Sequence, residues 1–527
     1  MEQFNIVPPT MQEDKEVVVE VYAEGRHEPI LLNKVRQKFE IFGAISLIFG
    51  VFFALCFYRT WIGINVLMFS LCTIILLTIT MKSLSQTIKI GTKVYDAGVI
   101  LLGISIFNTS NSTLQFLDVA GIFLLLDLSI LHQFYEDHQW SFIKHAKSMF
   151  ALPIYSLASI GFPFIESYNL FKNKKIVKND VLRNVMVGAF ISLPMLLLST
   201  VLLSHADLLF GRLTNSILSE VLFGNIFGVI VMILIGFIVF YCVLCGGLYR
   251  EECIEEKVVH KADAIIAITF MTLLCMIYTV FCGIQFIYLF SNGFFALPEG
   301  VTFAEYARNG FFELLAVTAI NIVIMLLCGI RFKESKGLKR LVTFMTVCTY
   351  IMIVSATYRM YLYIMAYHLT FLRLFVLLTL LIDSFILAGV ILFVYNKKFP
   401  LFRYCVAVIS VCYIGFSFSK PDYYIASYLV AQKETLGVED IRYLTWNLSL
   451  DAAPVVLEVL KDTNHWNLVE QKENVGNYDL KLTKKDTLEW FQDCKKDYYS
   501  RIVAVEKDAG IRNFNFSKDI AIKKYQK

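Results

Sequence analysis

The chain has 527 residues, of which 57% are hydrophobic, 15% aromatic and only 17% charged. In soluble domains about a quarter of all residues are charged, so this composition excludes an ordinary soluble protein and indicates a chain embedded in a bilayer. The formal net charge is +4, and no basic helix or zinc-finger spacing is present, so we expect no nucleic-acid partner. Most of the 12 cysteines lie in apolar stretches, which is typical of packing residues and not of a disulfide framework.

Residues 1–38 are polar and lack the basic start and short apolar core of a signal peptide, so we interpret them as an attached extension. About eleven later stretches are apolar over the roughly 20 residues that a helix needs to cross a membrane. Because the bilayer offers no partners for open backbone groups, the sequence predicts an all-α bundle of transmembrane helices. The predicted spans are 39–58, 61–81, 93–108, 113–131, 184–208, 222–249, 262–291, 311–330, 341–364, 371–395 and 401–418.

Basic residues collect in alternate connections between these spans. They include Lys34, Arg36, Lys82, Lys89, Lys144, Lys147, Lys172, Lys174, Arg250, Lys339, Arg340, Lys397, Lys398 and Arg403. By the positive-inside rule, these connections and the N-terminus face the cytoplasm, and an odd number of spans leaves the C-terminus outside. The chain is thereby divided into a cytoplasmic extension at 1–38, a transmembrane domain at 39–418 and an extracytoplasmic helical tail at 419–527.

One apolar stretch, 150–170, is not among these spans because Pro153, Gly161 and Pro163 interrupt it. Proline and glycine free backbone groups that need protein or water partners at membrane depth, so this stretch suits a re-entrant segment. A kinked helix that lies on the membrane surface explains the same pattern. Both alternatives remain open at the level of sequence.

The most concentrated charge beside an apolar helix lies in the stretch 299–315, E-G-V-T-F-A-E-Y-A-R-N-G-F-F-E-L-L. On a helix, Glu305, Asn309 and Glu313 form one polar stripe, and Arg308 can pair with Glu305. Charge at this depth costs roughly 2.5 to 3.5 kcal/mol unless it is paired or wetted. The stripe is therefore either an outward-facing site for a cation, proton or polar solute, or an ion-pair clamp.

Further polar candidates lie in later spans. Arg359 and Arg373 fall on the same predicted outer side, and Asp383 falls near mid-membrane, so all three join the candidate ligand or ion site. A relay from Glu313 through Asn321 to Asp383 would suit a proton-coupled carrier. Each such group alone is more often an interhelical hydrogen bond worth roughly 0.6 kcal/mol. Asp127 and Gln285 are other buried polar candidates.

Three histidines follow the fourth predicted span, together with two acids: His132, His138, His145, Glu136 and Asp137. His138 and His145 are seven residues apart and share a helix face, but no second carboxylate or cysteine is in register with them. A solvated amphipathic helix explains the same residues. We therefore expect no metal, no cofactor and no catalytic residue.

The stretch 299–315 also resembles the signature of a bacterial multi-pass membrane family, catalogued as domain of unknown function 4173, which reads roughly G-(L/V)-T-(Y/F)-A-E-Y-A-R-x-G-F-F-E-L. R-M-Y-L-Y-I-M-A-Y-H-L-T-F-L-R at 359–373 is similar to the family's R-M-x-x-Y-x-x-A-Y-G-L-T-x-x-R, with His368 in the glycine position. Asn309 stands where a second arginine is common. P-D-Y-Y-I-A-S-Y at 421–428 and D-I-R-Y-L…L-S-L-D-A-A-P at 440–454 are similar to the family's extramembrane tail. This resemblance covers roughly 93–454 and implies a polytopic protein of the bacterial cytoplasmic membrane, without an established activity.

Three function classes fit these observations. The first hypothesis is a transporter or permease-like component with a polar site in the outer half of the bundle, because charges lie within predicted spans. The alternative is a membrane sensor or regulatory scaffold that reads a signal through the tail. The third is a lipid-modifying membrane enzyme, for which only Glu305, Glu313 and Arg359 offer suitable groups. The expected partners are membrane lipids, a small ion, solute or lipid headgroup, and a further protein.

Overall fold

The computed structural model describes residues 30–173, 188, 192, 196, 199–200, 202–204, 206–207, 209–212, 225–248, 261–290, 311–432, 438–461, 472–475, 478–481 and 484–526. Most of these residues lie in helices. The first group is α1 (Ile30–Gln37), α2 (Phe39–Phe57), α3 (Ile64–Ser83), α4 (Ile90–Asn108), α5 (Ser112–Phe134), α6 (Phe142–Ala158) and α7 (Phe162–Asn173). The second group is α8 (Asn225–Leu248), α9 (Ala264–Phe290), α10 (Phe311–Arg331), α11 (Lys336–Tyr367), α12 (Phe371–Tyr395) and α13 (Leu401–Phe418).

The polytopic all-α bundle is confirmed. In the part of the chain that the structure describes, 11 helices are long and apolar enough to cross a membrane. Ten of them coincide with predicted spans, whereas the predicted span 184–208 lies mostly outside the described residues. Their sequences are predominantly apolar, as expected where lipid replaces water on the outer face.

The eleventh candidate is the interrupted stretch that the sequence left undecided. It forms a continuous run of α6, a 3₁₀ turn at Ser159–Gly161 and α7, with Pro153 inside α6. Its apolar part, Phe142–Leu170, has the length and hydropathy of a span.

The described residues form two compact units. The first comprises the described residues within the ranges Met1–Ala54, Leu76–Thr87 and Phe150–Glu255. Within it, a Cβ atom on Gly50 would lie only 2.2 Å from the Ile233 carbonyl oxygen, so glycine permits the close approach of α2 and α8. The Arg36 guanidinium and the Glu166 carboxylate form an ion pair at 2.9 Å, which ties α1 to α7.

The second unit comprises the described residues within the ranges Leu55–Ile75, Ile88–Met149 and Glu256–Lys527. Its largest core lies among α9, α10, α11 and α12, and contains the fully buried methionines Met271, Met325, Met345, Met352 and Met360. A smaller core joins α4 and α5 and includes Val99, Leu102 and Leu125, with Tyr413 of α13 packed against it. Long, flexible methionine side chains fill irregular gaps between such helices.

The tail belongs to this second unit and has a core of its own. It contains α14 (Pro421–Gln432), α15 (Val438–Arg442), a π-helical turn at Tyr443–Asn447, α16 (Ala453–Lys461), α17 (Lys484–Lys507) and α18 (Phe516–Gln526). An antiparallel hairpin of β1 (Lys472–Val475) and β2 (Tyr478–Lys481) is the exception to the helical prediction. Pro421 begins α14, where its missing N–H group would have no helical partner.

Candidate functional site

The outer polar stripe predicted at 299–315 is described only at its C-terminal end. Glu305, Arg308 and Asn309 lie outside the described residues, and their role as a site stays a prediction. Glu313 lies in the first turn of α10, where its side chain is exposed.

The two predicted arginines contact different partners. Arg359 of α11 donates from Nη2 to Gln285 Oε1 at 3.1 Å, and the Ser355 hydroxyl donates to the same oxygen at 2.6 Å. Arg373 of α12 donates to the His368 carbonyl oxygen, and its guanidinium lies over the Tyr363 ring, 4.2 Å from the centroid. These contacts do not join the two arginines to a common side chain.

Asp383 of α12 is buried, as predicted, and its position links two helices. Its Oδ2 accepts a hydrogen bond from the Thr318 hydroxyl of α10 at 3.3 Å. Asn321, one turn further along α10, accepts from the Tyr278 hydroxyl at 2.7 Å and donates to Thr349 Oγ1 at 3.1 Å. Among the described residues, the step from Asn321 to Asp383 in the predicted relay is therefore not a direct contact, and Thr318 is the residue that contacts the carboxylate.

Two further acids within membrane-length helices were missed at the level of sequence. Asp118 of α5 is fully buried and accepts from the Tyr413 hydroxyl at 2.9 Å and from the Ser417 hydroxyl at 3.3 Å, both on α13. Asp96 of α4 accepts from the Ser129 hydroxyl of α5 at 2.7 Å. Both acids lie in the predicted spans 93–108 and 113–131, so the rule that singled out Asp127 and Asp383 would also have found them.

Asp96, Asp118 and Asp383 share one kind of environment, and we refer to them as the intramembrane acids. Each accepts hydrogen bonds from hydroxyl groups. In the part of the chain that the structure describes, none of the three forms an ion pair. An ionised carboxylate at membrane depth without a cation is costly. A hydroxyl group can donate to a carboxylate or accept from a carboxylic acid, so these sites can hold either form.

A second cluster lies just beyond the end of α5, around the buried carboxylate of Asp137. His132 Nδ1 lies 2.8 Å and Arg403 Nη2 2.6 Å from Oδ1, and His145 Nε2 lies 3.4 Å from Oδ2. Burial raises the pKa of Asp137, but hydrogen bonding from His145 and the charges of the other two partners outweigh it. The pKa of Asp137 therefore lies well below its usual range.

The local backbone explains why these rings converge. A Cβ atom on Gly91 would lie 2.3 Å from His132 Nε2, so glycine at the start of α4 makes room for the imidazole. The His145 ring stacks on Phe402 at a centroid distance of 4.7 Å, next to Arg403 in the chain. Among the described residues, no group of three or more His, Cys, Asp or Glu is placed to hold a metal ion. Of the predicted histidines, two meet at Asp137, and His138 lines an adjoining cavity.

No curated protein and no solved structure matches this chain. A family model matches residues 96–459, a range that begins at Asp96 and includes Asp118, Asp137 and Asp383. This family is not the one numbered 4173 that the sequence motifs resemble. The match does not test those motifs, which stay predictions. The matched range covers more than half of the chain, which therefore belongs to the family described as domain of unknown function DUF4153.

Proposed function

We propose that the chain is a permease-like carrier of the bacterial cytoplasmic membrane that couples transport to a proton or a monovalent cation. The observation that supports this most is the set of intramembrane acids, Asp96, Asp118 and Asp383, held by hydroxyl groups without a described counter-ion. A carboxyl group in this setting is suited to take up a proton or a small cation and to release it.

A purely structural role would not require an acid. A hydroxyl or amide side chain makes an interhelical hydrogen bond without the cost of burying an aspartate, which is roughly 2.5 to 3.5 kcal/mol at the centre of a membrane helix, where Asp383 lies, and smaller towards the helix ends, where Asp96 and Asp118 lie. Asn321 plays such a role through Tyr278 and Thr349. The use of aspartate at three other positions therefore favours a function that needs ionisation.

Polar contacts beside Asp383 extend this region along α11. Thr349, Ser355 and Arg359 each contact a polar side chain of a neighbouring helix. Thr349 and Arg359 are ten positions apart, which corresponds to about 15 Å along a helix at 1.5 Å per residue. Ser355 and Arg359 lie in the C-terminal half of α11, which the basic-residue pattern predicts to be the outer half, and Thr349 lies just before the midpoint of the helix. Ser355 and Arg359 therefore support a polar site in the outer half.

Electrometry of proteoliposomes on a solid support tests this proposal without knowledge of the cargo. A jump in pH or in sodium concentration should produce a transient current, because a charge that enters the bilayer is displaced across part of the membrane. Asp383→Asn should abolish or strongly reduce it, whereas Asp493→Asn, at an exposed tail position, should not. A current in Asp383→Asn equal to that of the unmodified chain, or none above empty liposomes, would contradict the proposal.

A sensor or regulatory scaffold is the second candidate, because the tail contacts the bundle through buried polar groups. Asp451 accepts hydrogen bonds from the Thr109 hydroxyl and, at 2.6 Å, from the Ser110 backbone N–H. A ligand of the tail could therefore act on the α4–α5 connection. This second candidate would be favoured if jumps in pH and in sodium concentration produce no current, and if the chain has a stable protein partner whose binding is lost in Asp451→Asn.

A further inference from the structure

A cavity lies beside the Asp137 cluster, at the end of the bundle where α5 ends and α13 begins. Its volume is about 490 Å³, within the roughly 300 to 1,000 Å³ typical of small-molecule sites. Its wall includes residues of the 3₁₀ turn that follows α5 (Asp137–Gln139), of the end of α10 and of the connection 396–400 between α12 and α13. It therefore lies where the hydrocarbon gives way to the polar membrane face.

The wall of this cavity is strongly basic. Four of its residues are lysine or arginine: Lys261, Lys397, Lys398 and Arg403. Among the described lining residues the one carboxylate is Asp137, which already contacts Arg403 and two histidines. The nearby Glu334 is paired with Lys339 at 2.8 Å. The cavity thus has a surplus of positive charge.

The backbone around the cavity is held in place by hydrogen bonds. Ala262, next to Lys261, donates from its N–H to the Arg331 carbonyl oxygen at 2.9 Å and accepts from the Lys333 N–H at 3.0 Å. The Lys397 ammonium donates to the Gly329 carbonyl oxygen at 2.8 Å and lies 4.5 Å from the centroid of the Phe393 ring. Burial lowers the pKa of Lys397. Lys261 and Lys398 are exposed and have room to meet a ligand.

Aromatic side chains complete the wall, with Trp140 and Phe399 among them. Ammonium groups bind phosphate as point charges and make charge-assisted hydrogen bonds to its oxygens. Basic pockets between helices at the cytoplasmic face are a known way to hold anionic headgroups. Aromatic surface beside the charges suits an attached apolar or ring-containing group.

We propose that this cavity binds a phosphate-bearing ligand, with the phosphate at Lys261 and Lys398 and the attached group against Trp140 and Phe399. The phosphate could belong to a lipid headgroup or to a soluble phosphorylated molecule, because both present the same oxygens to the lysines. This site lies at the opposite end of the bundle from the tail and is independent of the intramembrane acids.

The test compares Lys261→Gln/Lys398→Gln with the unmodified full-length chain in phosphatidylcholine nanodiscs. One arm measures the binding of inorganic pyrophosphate by thermal shift, and the other measures stabilisation when phosphatidylglycerol replaces part of the phosphatidylcholine. The matched control is Lys82→Gln/Lys93→Gln, at two exposed lysines that do not line the cavity and belong to the same predicted membrane face.

We expect the unmodified chain and the control to bind in at least one arm, and the cavity variant to bind about tenfold more weakly for each lysine removed. An effect confined to pyrophosphate identifies a soluble ligand, and one confined to phosphatidylglycerol identifies a lipid. The proposal is overturned if the unmodified chain binds in neither arm, if the cavity variant binds as well as the unmodified chain, or if the control loses as much affinity as the cavity variant. Equal unfolding temperatures without ligand will show that the variants are folded.

Discussion

His368 closes α11 in a backbone conformation that suits glycine and no other residue. Its φ is 67° and its ψ is 173°, a region that side chains with a Cβ atom rarely adopt and that costs about 1 to 3 kcal/mol. We predict that His368→Gly will unfold at a higher temperature than His368→Ala, because both lose the imidazole and only glycine relieves the backbone. A glycine variant less stable than the alanine variant would show that the backbone here is not strained.

Asp137 should contribute stability that depends on pH. Because its pKa is lowered in the folded state, its contribution is fully present above the unfolded value of about 3.9 and is lost as the pH falls below it. At pH 7 we predict that Asp137→Asn costs about 1 to 3 kcal/mol, since a buried carboxylate that accepts several hydrogen bonds is lost while the partly exposed Arg403 is compensated in part by water. Thermal unfolding should show this difference shrinking as the pH falls from about 5 to 3, whereas exposed Asp493→Asn should cost little throughout. A difference that stays constant would refute the assigned pKa shift.

At the level of elements, the contact between Asp137 and Arg403 constrains the topology of the chain. The end of α5 and the start of α13 must lie on the same side of the membrane because these two side chains meet. Between them lie five described candidate spans, α8 to α12. If all five cross the membrane, residues 135–224 contribute an odd number of crossings. The candidates there are the run α6–α7 and the predicted span 184–208, and we predict that only one of the two crosses.

The basic residues that flank α6–α7 favour the second of these candidates. Lys144 and Lys147 lie near its start, and Lys172 and Lys174 at its end, which by the positive-inside rule puts both ends in the cytoplasm. We predict that Glu136→Cys and Asn169→Cys, both exposed positions, react with a membrane-impermeant maleimide from the same side. The unmodified chain gives the background labelling. Labelling from opposite sides would show that α6–α7 crosses the membrane.

Much of this architecture could be predicted from the sequence, because a span needs about 20 consecutive apolar residues whatever its partners are. The structure of Phe142–Leu170 was harder to predict, because Pro153 interrupts the apolar pattern of the sequence although the helix continues through it. The partners of the acids could not be predicted. Asp118 contacts Tyr413 across 295 residues of chain, and no local pattern reports such a contact. The cavity at Lys261 and Lys398 depends on equally distant segments.

At the level of the whole molecule, the tail is joined to the bundle by buried polar contacts. Asn515 donates to the carbonyl oxygens of Ile106 at 3.2 Å and Thr109 at 2.7 Å, and Asp451 accepts from Thr109 and Ser110. These contacts lie within one compact unit. The boundary predicted at 419 therefore marks the end of the last span, and we expect the tail and the helices it contacts to unfold together.

Asp451→Asn tests this coupling. It replaces a carboxylate that accepts three hydrogen bonds, so we predict a loss of about 1 to 3 kcal/mol in the free energy of unfolding. Removal of the whole tail after Ser419 should destabilise the bundle further, because Asn515 and its neighbours leave as well. Hydrogen exchange should then rise at 106–114, at the α4–α5 connection. If the shortened chain is as stable as the full chain, tail and bundle are independent.

The proposed carrier requires that the intramembrane acids take up and release a proton or cation. Infrared difference spectroscopy of the reconstituted protein detects this event, because the carbonyl stretch of a protonated carboxyl group is distinct from the bands of a carboxylate. On a change of pH or of sodium concentration, we predict a difference band in this region that Asp118→Asn and Asp383→Asn each reduce and Asp493→Asn leaves unchanged. A spectrum that is the same in all variants would contradict the claim and leave these aspartates as structural hydrogen-bond acceptors.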